Sequence, residues 1–218
     1  MKLDKGSFVK LDFTGHDDDT NAVFDTTRKE VASNHGLIRG KVDYGPITIC
    51  VGEGHLLPGL DKALEGKEDR SIFSVSLEPE DAFGKKRADL LKLMPMNVFK
   101  KQKINPVPGL EVNIDGMHGT IKNVSGNRVI VDFNHPLASH AVSYDIRTLG
   151  EVTDVAEQVK TIVSIALRYE PEVKVEGLKA KVPLPVALPE ELKQQLTARI
   201  LDLTALREVE FSKIRSNA

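Results

Sequence analysis

Apolar residues recur at every second position in several stretches of the first 150 residues, and at every third or fourth position over long runs only after residue 152. That switch constrains the fold more than any other feature. A period of two suits a half-buried strand, and a period of 3.6 suits a helix buried along one face. Early in the chain Val9, Leu11 and Phe13 alternate with Lys10 and Asp12, and Phe73, Val75 and Leu77 alternate with Ser74 and Ser76. These patterns predict strands over 7–13 and 72–77. Further strands are predicted over 23–25, over the β-branched run 47–51 and over 141–149. Residues 26–45 are polar and contain Asn34, Gly36, Gly40 and Gly45, which reads as a long surface loop. A short helix is predicted over 58–64, where Pro58 suits a first turn and Leu60, Ala63 and Leu64 share a face.

The character of the chain changes after Gly84. Residues 85–103 carry seven basic side chains around Leu90, Leu91, Leu93, Met94, Met96, Val98 and Phe99. Residues 110–132 then alternate around Asp115-Gly116 and Ser125-Gly126-Asn127, which are hairpin turn signals. The strand over 141–149 needs partners in the first unit, so 85–133 reads as an insertion within that unit. Past 152, Asp154 and Glu157 form a capping-box pattern ahead of Val155, Val159, Ile162, Val163, Ala166 and Leu167 at helical spacing. Strands follow over 173–175 and 178–182, then a helix from Pro189 and a last strand over 204–211. The predicted organisation is 1–84 with 134–151 as one discontinuous domain, 85–133 as a small β-rich insert, and 152–218 as an αββαβ domain.

Composition excludes several classes of function. A formal net charge of −2 argues against a protein built mainly to coat nucleic acid. The hairpins of 110–132 and the terminal domain lack stacking aromatics, the latter offering only Tyr169 and Phe211. No apolar run approaches the ~20 residues that span a bilayer, and MKLDKGSFVKLDF lacks the apolar centre of a signal peptide, so a cytoplasmic location without membrane contact is expected. Cys50 is the sole cysteine, which removes internal disulfides and cysteine-based zinc sites, and it reads as a small buried hydrophobe. His135 and His140 have a spacing that zinc proteins use, yet no acidic neighbour in sequence, and read as rim histidines. Asp17, Asp18 and Asp19 read as a solvated turn. No metal and no cofactor are expected.

The stretch VGEGHLLPGLDKALEG, 51–66, raises a phosphate question. Its frame Gly54-x-x-x-x-Gly59 begins a P-loop, but Leu60 and Asp61 stand where Lys and Ser or Thr are required. The dinucleotide pattern fails at Leu57, and Glu53 would repel an anion. The glycines are instead expected to turn the backbone so that Leu56 and Leu57 project into an apolar pocket, with nothing anionic involved. Other large apolar groups also sit where strands end: Phe13, Phe24 beside Asp25, the turn Asp81-Ala82-Phe83-Gly84, and Tyr144. An apolar pocket with few polar fixtures is lined in this way.

These residues carry a resemblance. Phe24-Asp25 with its long loop, Val51 to Leu60, Asp81 to Gly84, and Asn134-His-Pro-Leu-Ala138 with the strand through Tyr144 occur in the order and spacing of the FKBP-type peptidyl-prolyl cis-trans isomerases. SlyD-like and long archaeal forms are the more similar ones. The resemblance implies an α+β fold: an antiparallel half-barrel wrapped on a short helix, with the insert as an insert-in-flap chaperone domain. It implies catalysis of Xaa-Pro rotation without covalent chemistry. Phe13, Asp25, Leu57, Phe83 and Tyr144 would act as the catalytic set, with Phe24, Ile47, Leu56, Leu60, His135 and Leu137 binding substrate. It further implies a chaperone surface at Leu93, Met94, Met96, Val98 and Phe99, unfolded or nascent polypeptides as partners, and a homodimer through the terminal domain. The competing reading is a polypeptide-binding module whose pocket is catalytically idle.

Overall fold

Ten residues, Phe8–Asp17, form the strand around which the first sheet is built. The computed structural model describes residues 2–38 and 43–214. In chain order the elements are β1 (Phe8–Asp17), β2 (Val23–Thr26), α1 (Lys29–Asn34), β3 (Ile47–Cys50), α2 (Pro58–Leu64) and β4 (Ile72–Leu77). There follow β5 (Leu91–Pro95), α3 (Met96–Lys101), β6 (Glu111–Ile114), β7 (Met117–Ser125), β8 (Arg128–Asp132) and β9 (Val142–Glu151). The last elements are α4 (Val155–Leu167), β10 (Lys174–Glu176), β11 (Lys179–Leu184), α5 (Glu190–Leu203) and β12 (Glu208–Lys213). Two compact units result. One comprises Met1–His16, Val23–Val75 and Ser143–Ala218, the other Asp17–Ala22 and Ser76–Val142. Among the described residues no helix is long and apolar enough to cross a membrane.

In the first unit the sheet order is β2-β1-β9-β4, with β3 also pairing with β1. β1 pairs antiparallel with β3 along its first half (Phe8 with Cys50, Leu11 with Ile47) and with β2 along its second (Thr14 with Thr26, Gly15 with Asp25). Phe8, Val9 and Leu11 of β1 and Leu60 and Leu64 of α2 are buried. The expected long loop is not wholly irregular. Six of its residues form α1, with Ala32 fully buried. A single buried alanine in a polar stretch leaves no periodic trace.

The terminal residues fold in the predicted order α4-β10-β11-α5-β12, with β11 and β12 parallel and joined through α5. The Asp154 side chain accepts from the Ala156 N–H at 3.1 Å and so caps α4. Val159, Ile162, Val163, Val182, Leu196 and Ile200 close into one apolar cluster that also contains Phe8 and Cys50. The terminal segment therefore shares its core with β1 and β3. Cys50 is fully buried there, and burial, with Glu53 nearby, pushes its thiol up to about 12. That makes it inert.

The second unit contains the sheet β5-β8-β7-β6, over a core of Phe99, Val112, Ile114, Ile121, Val129 and Val131. Phe99 is fully enclosed, so it is not part of an exposed client surface as expected. Met94, Met96 and Val98 are half-buried against the same core, whereas Leu93 on β5 is 59% exposed. The segment's entry and exit are stitched together: Lys86 N–H donates to Ser139 Oγ at 2.8 Å, and Arg87 N–H to Asn134 Oδ1 at 2.8 Å.

The acidic turn is also less solvated than its sequence suggests. Asp17 is only 6% exposed and accepts from Thr20 Oγ1 at 2.8 Å and from the Asp19 N–H at 3.1 Å. His140 Nδ1 lies 3.1 Å from Asp17 and 3.3 Å from Asp19. Burial alone would raise the Asp17 carboxyl, but the bonds from His140, Thr20 and Asp19 outweigh it and hold it below the usual carboxylate value.

Candidate functional site

Phe13 on β1, Phe24 on β2 and Tyr144 on β9 meet as an aromatic cluster. Tyr144 packs edge-on against Phe13 at 5.8 Å and against Phe24 at 5.6 Å between ring centres. Gly15 makes this approach possible. A Cβ there would lie 2.8 Å from Tyr144 Cε1 and 2.9 Å from Phe24 Cζ. Asp25 is the register partner of Gly15 and so stands beside the rings. Thr14 and Thr26 hydroxyls, 2.9 Å apart, and the Thr26 Oγ1 bond to the Phe13 carbonyl fix this end of the β1–β2 pair.

Phe13, Phe24, Asp25 and Ile47 line one hollow of about 400 Å³, together with Leu37 and Tyr44. Those last two were missed because they lie in the polar stretch read as loop. The Tyr44 hydroxyl donates to the Leu37 carbonyl at 3.0 Å, bracing that wall. Asp25 is exposed as a residue, yet burial of its carboxyl raises it above the usual carboxylate value, and only the Thr26 backbone opposes this. Among the described residues it has no ion pair. Tyr144 is 3% exposed, and burial together with the Asp25 charge raises its phenol well above the ordinary tyrosine value. No described residue accepts from or donates to its hydroxyl.

Leu56, Leu57 and Leu60 do not line that hollow. Leu60 is a core residue at 2% exposure, while Leu56 and Leu57 are half-buried in the turn before α2. The Leu57 N–H has no acceptor among the described residues. The glycine loop does cradle an anion, contrary to expectation, and the anion is internal. Asp61 on α2 accepts from the Gly52 N–H at 2.8 Å through Oδ1 and from the Gly54 N–H at 2.9 Å through Oδ2. Gly52 and Gly54 have φ of +80° and +67°, which turns both N–H groups toward one carboxylate. Asp61→Asn offers one carbonyl oxygen and sets its NH₂ against an N–H. We expect a loss of about 1–3 kcal/mol, read as a lower urea midpoint; an unchanged midpoint would show that the cradle is not a stabilising feature.

Phe83, His135 and Leu137 belong to the other unit. Phe83 and His135 stack face to face, 4.4 Å apart and 2° from parallel. His135 Nδ1 accepts from the Leu137 N–H at 3.2 Å, and burial holds its pKa below the ordinary histidine value, so the ring is neutral. His140 does not pair with His135. Its partners are Asp17 and Asp19, and the potential ligand atoms of these three lie within 4.8 Å of one another. Tertiary structure thus supplies the acidic neighbours that the sequence spacing lacked. Their mutual hydrogen bonds account for the group as a clasp on the turn.

This arrangement can hold an uncharged extended segment against aromatic walls, with isolated polar groups to orient it. Among the described residues it brings together no nucleophile–base pair. Comparison with known proteins agrees. The profile of the FKBP-type peptidyl-prolyl cis-trans isomerases matches residues 1–98, and that of the FKBP26 IF domain matches 92–137. A short-type peptidyl-prolyl cis-trans isomerase of Methanocaldococcus jannaschii is 30% identical over 145 residues, 66% of this chain and 91% of that one. A SlyD of Treponema pallidum is 30% identical over 164 residues, covering 71% of this chain and 82% of the relative. A 16 kDa FKBP-type isomerase of Escherichia coli is 32% identical over 130 residues, covering 57% and 81%. The chain belongs to the FKBP-type peptidyl-prolyl cis-trans isomerases, and its SlyD-like relatives carry the same activity in their names.

Proposed function

We propose that the hollow lined by Phe13, Phe24 and Ile47, with Tyr144 packed against the two phenylalanine rings, receives the proline of an unfolded or nascent polypeptide and accelerates rotation about the preceding amide. The observation that carries this reading is an aromatic-walled cavity whose lining includes Asp25, a carboxylate with no ion pair among the described residues, in a unit where the Leu57 N–H has no acceptor among them. Rotation of a peptide bond is opposed by ~18–20 kcal/mol of C–N double-bond character. Resonance is lost at the twisted transition state, which leaves a less polar amide. Apolar walls favour that form over the planar one, so catalysis is differential binding without proton transfer. A lowering of ~5 kcal/mol corresponds to an acceleration of roughly 10³- to 10⁴-fold. Phe13, Phe24 and Ile47 flank the proline ring, the Leu57 N–H binds a substrate carbonyl, and Asp25 orients or polarises the amide. An NMR exchange assay on a short Xaa-Pro peptide tests this directly: peptide-induced shifts at Phe24, Leu57 and Tyr144 are expected, and shifts confined elsewhere would sink it.

Asp25 makes the site sensitive to pH. Its folded-state pKa is raised, so the unfolded chain ionises first. Asp25 therefore lowers stability as pH rises past its usual value of 3.8, and the effect levels off above its folded pKa. Asp25→Asn should melt slightly higher than the parent at pH 7 and equally at pH ~3, while its kcat/KM falls several-fold. Equal melting at both pH values would show that the carboxylate is not under strain.

The same proposal takes 1–84 with 134–151 as the isomerase domain, 85–133 as a chaperone domain and 152–218 as the terminal domain. Leu93, with Leu91 beside it on the edge strand β5, is an exposed apolar contact for client chains, and Met94, Met96 and Val98 are adaptable groups behind it. Holding a client there raises its effective concentration at the prolyl hollow.

A further inference from the structure

We infer that Arg199, on the terminal helix α5, is a positioning residue for the isomerase reaction: it holds in place the loop that presents the Leu57 N–H to the substrate. This rests on the substrate placement proposed above.

The argument turns on a single peptide unit. The Glu53 carbonyl accepts from Arg199 Nη2 at 2.9 Å. The N–H of the same unit, on Gly54, donates to Asp61 Oδ2 at 2.9 Å. In a planar trans peptide these two groups point in opposite directions. The unit is thus gripped from both sides, by a cation on α5 and an anion on α2, and cannot rotate without breaking charge-assisted bonds at each end. Arg199 Nη2 also lies 2.9 Å from Glu53 Oε2, whose side chain is only 19% exposed, so solvent screens this pair less than an ordinary surface pair. The loop needs such a grip because Gly52 and Gly54 have little intrinsic preference for one conformation.

The Arg199 side chain is 44% exposed, but the helix that carries it is well seated. Leu196 and Ile200 on either side of Arg199 are buried, at 4% and 0%, in the cluster that contains Cys50. Cys50 immediately precedes the loop, and its N–H donates to His55 Nδ1 at 3.0 Å. The helix carrying the cation and the strand leading into the loop therefore share one core. Asp61 can hold only the N–H side of the loop; the carbonyl side takes its donor from a residue 146 positions away.

The test uses the full-length chain and a short Xaa-Pro peptide. Arg199→Met should lower kcat/KM about fivefold, with the loss carried by KM, because the Leu57 N–H binds the carbonyl in planar and twisted amides alike. Arg199→Lys should restore at least half of it. Glu53→Gln, which weakens the pair from the loop side, should cost about twofold in the same parameter, a second arm should Arg199→Met melt early. Lys193→Met makes the same charge change on the same helix and should leave both parameters unchanged. An unaltered KM in both Arg199→Met and Glu53→Gln, or an equal loss in Lys193→Met, overturns the inference. Peptide titration of the parent separates the two levels of the argument. If the Leu57 amide resonance does not respond, the substrate placement fails and the role of Arg199 with it. If it responds while Arg199→Met behaves as the parent, only the role of Arg199 fails.

Discussion

Tyr144→Ala is expected to lower kcat/KM on a short Xaa-Pro peptide at least tenfold while the chain still folds. Tyr144 touches both Phe13 and Phe24 and is almost wholly enclosed. Removing the ring deletes the packing against Phe13 and Phe24, which wall the hollow, and frees both to relax into the space. The truncation also costs stability, about 3–5 kcal/mol for a large buried ring. Tyr144→Phe is therefore the companion measurement. It keeps the packing and removes only a hydroxyl that no described residue engages, so its melting temperature should match or exceed the parent's. A fall in its kcat/KM of a few-fold then belongs to the lost substrate contact. Unchanged catalysis in Tyr144→Ala would remove the site assignment.

The second large effect concerns the insert. Excision of 86–132 should leave catalysis on a short peptide within about twofold, yet reduce catalysis of a proline-limited protein refolding reaction about a hundredfold and abolish suppression of aggregation. The geometry favours a clean excision. The Ser139 N–H donates to the Gly84 carbonyl at 2.8 Å, so entry and exit are already adjacent, and the Phe99 core lies wholly within the removed segment except for Phe133 at its edge. Equal loss on both substrates would show that the insert supports the fold rather than the client. Equal retention would show that it holds no client at all.

How much of this was legible in the chain varies with the range of the interaction. The strands around Val9–Phe13 and Phe73–Leu77 follow from alternation, and α4 and α5 follow from their apolar stripes. The motifs at Phe24-Asp25 and at 51–60 announced the family. By contrast α1 was hidden, because one buried alanine in a polar segment makes no pattern. Phe99 looked like part of a lysine-ringed apolar surface, and only its enclosure by Val112, Ile121 and Val131 shows it to be core. Leu37 and Tyr44 entered the site because each lines the hollow together with Ile47, although the stretch around them looks merely polar.

The glycine loop draws the boundary most clearly. Period, turn residues and motif spacing act over a few positions, so the chain alone determined its α+β class, its isomerase family and the absence of a phosphate site. Which carboxylate meets Gly52 and Gly54, which cation meets Glu53, and which acids meet His140 were settled by packing. Such partners are chosen by the topology that brings α2, α5 and the Asp17 turn to them, and that proximity costs and gains free energy only once the core is closed.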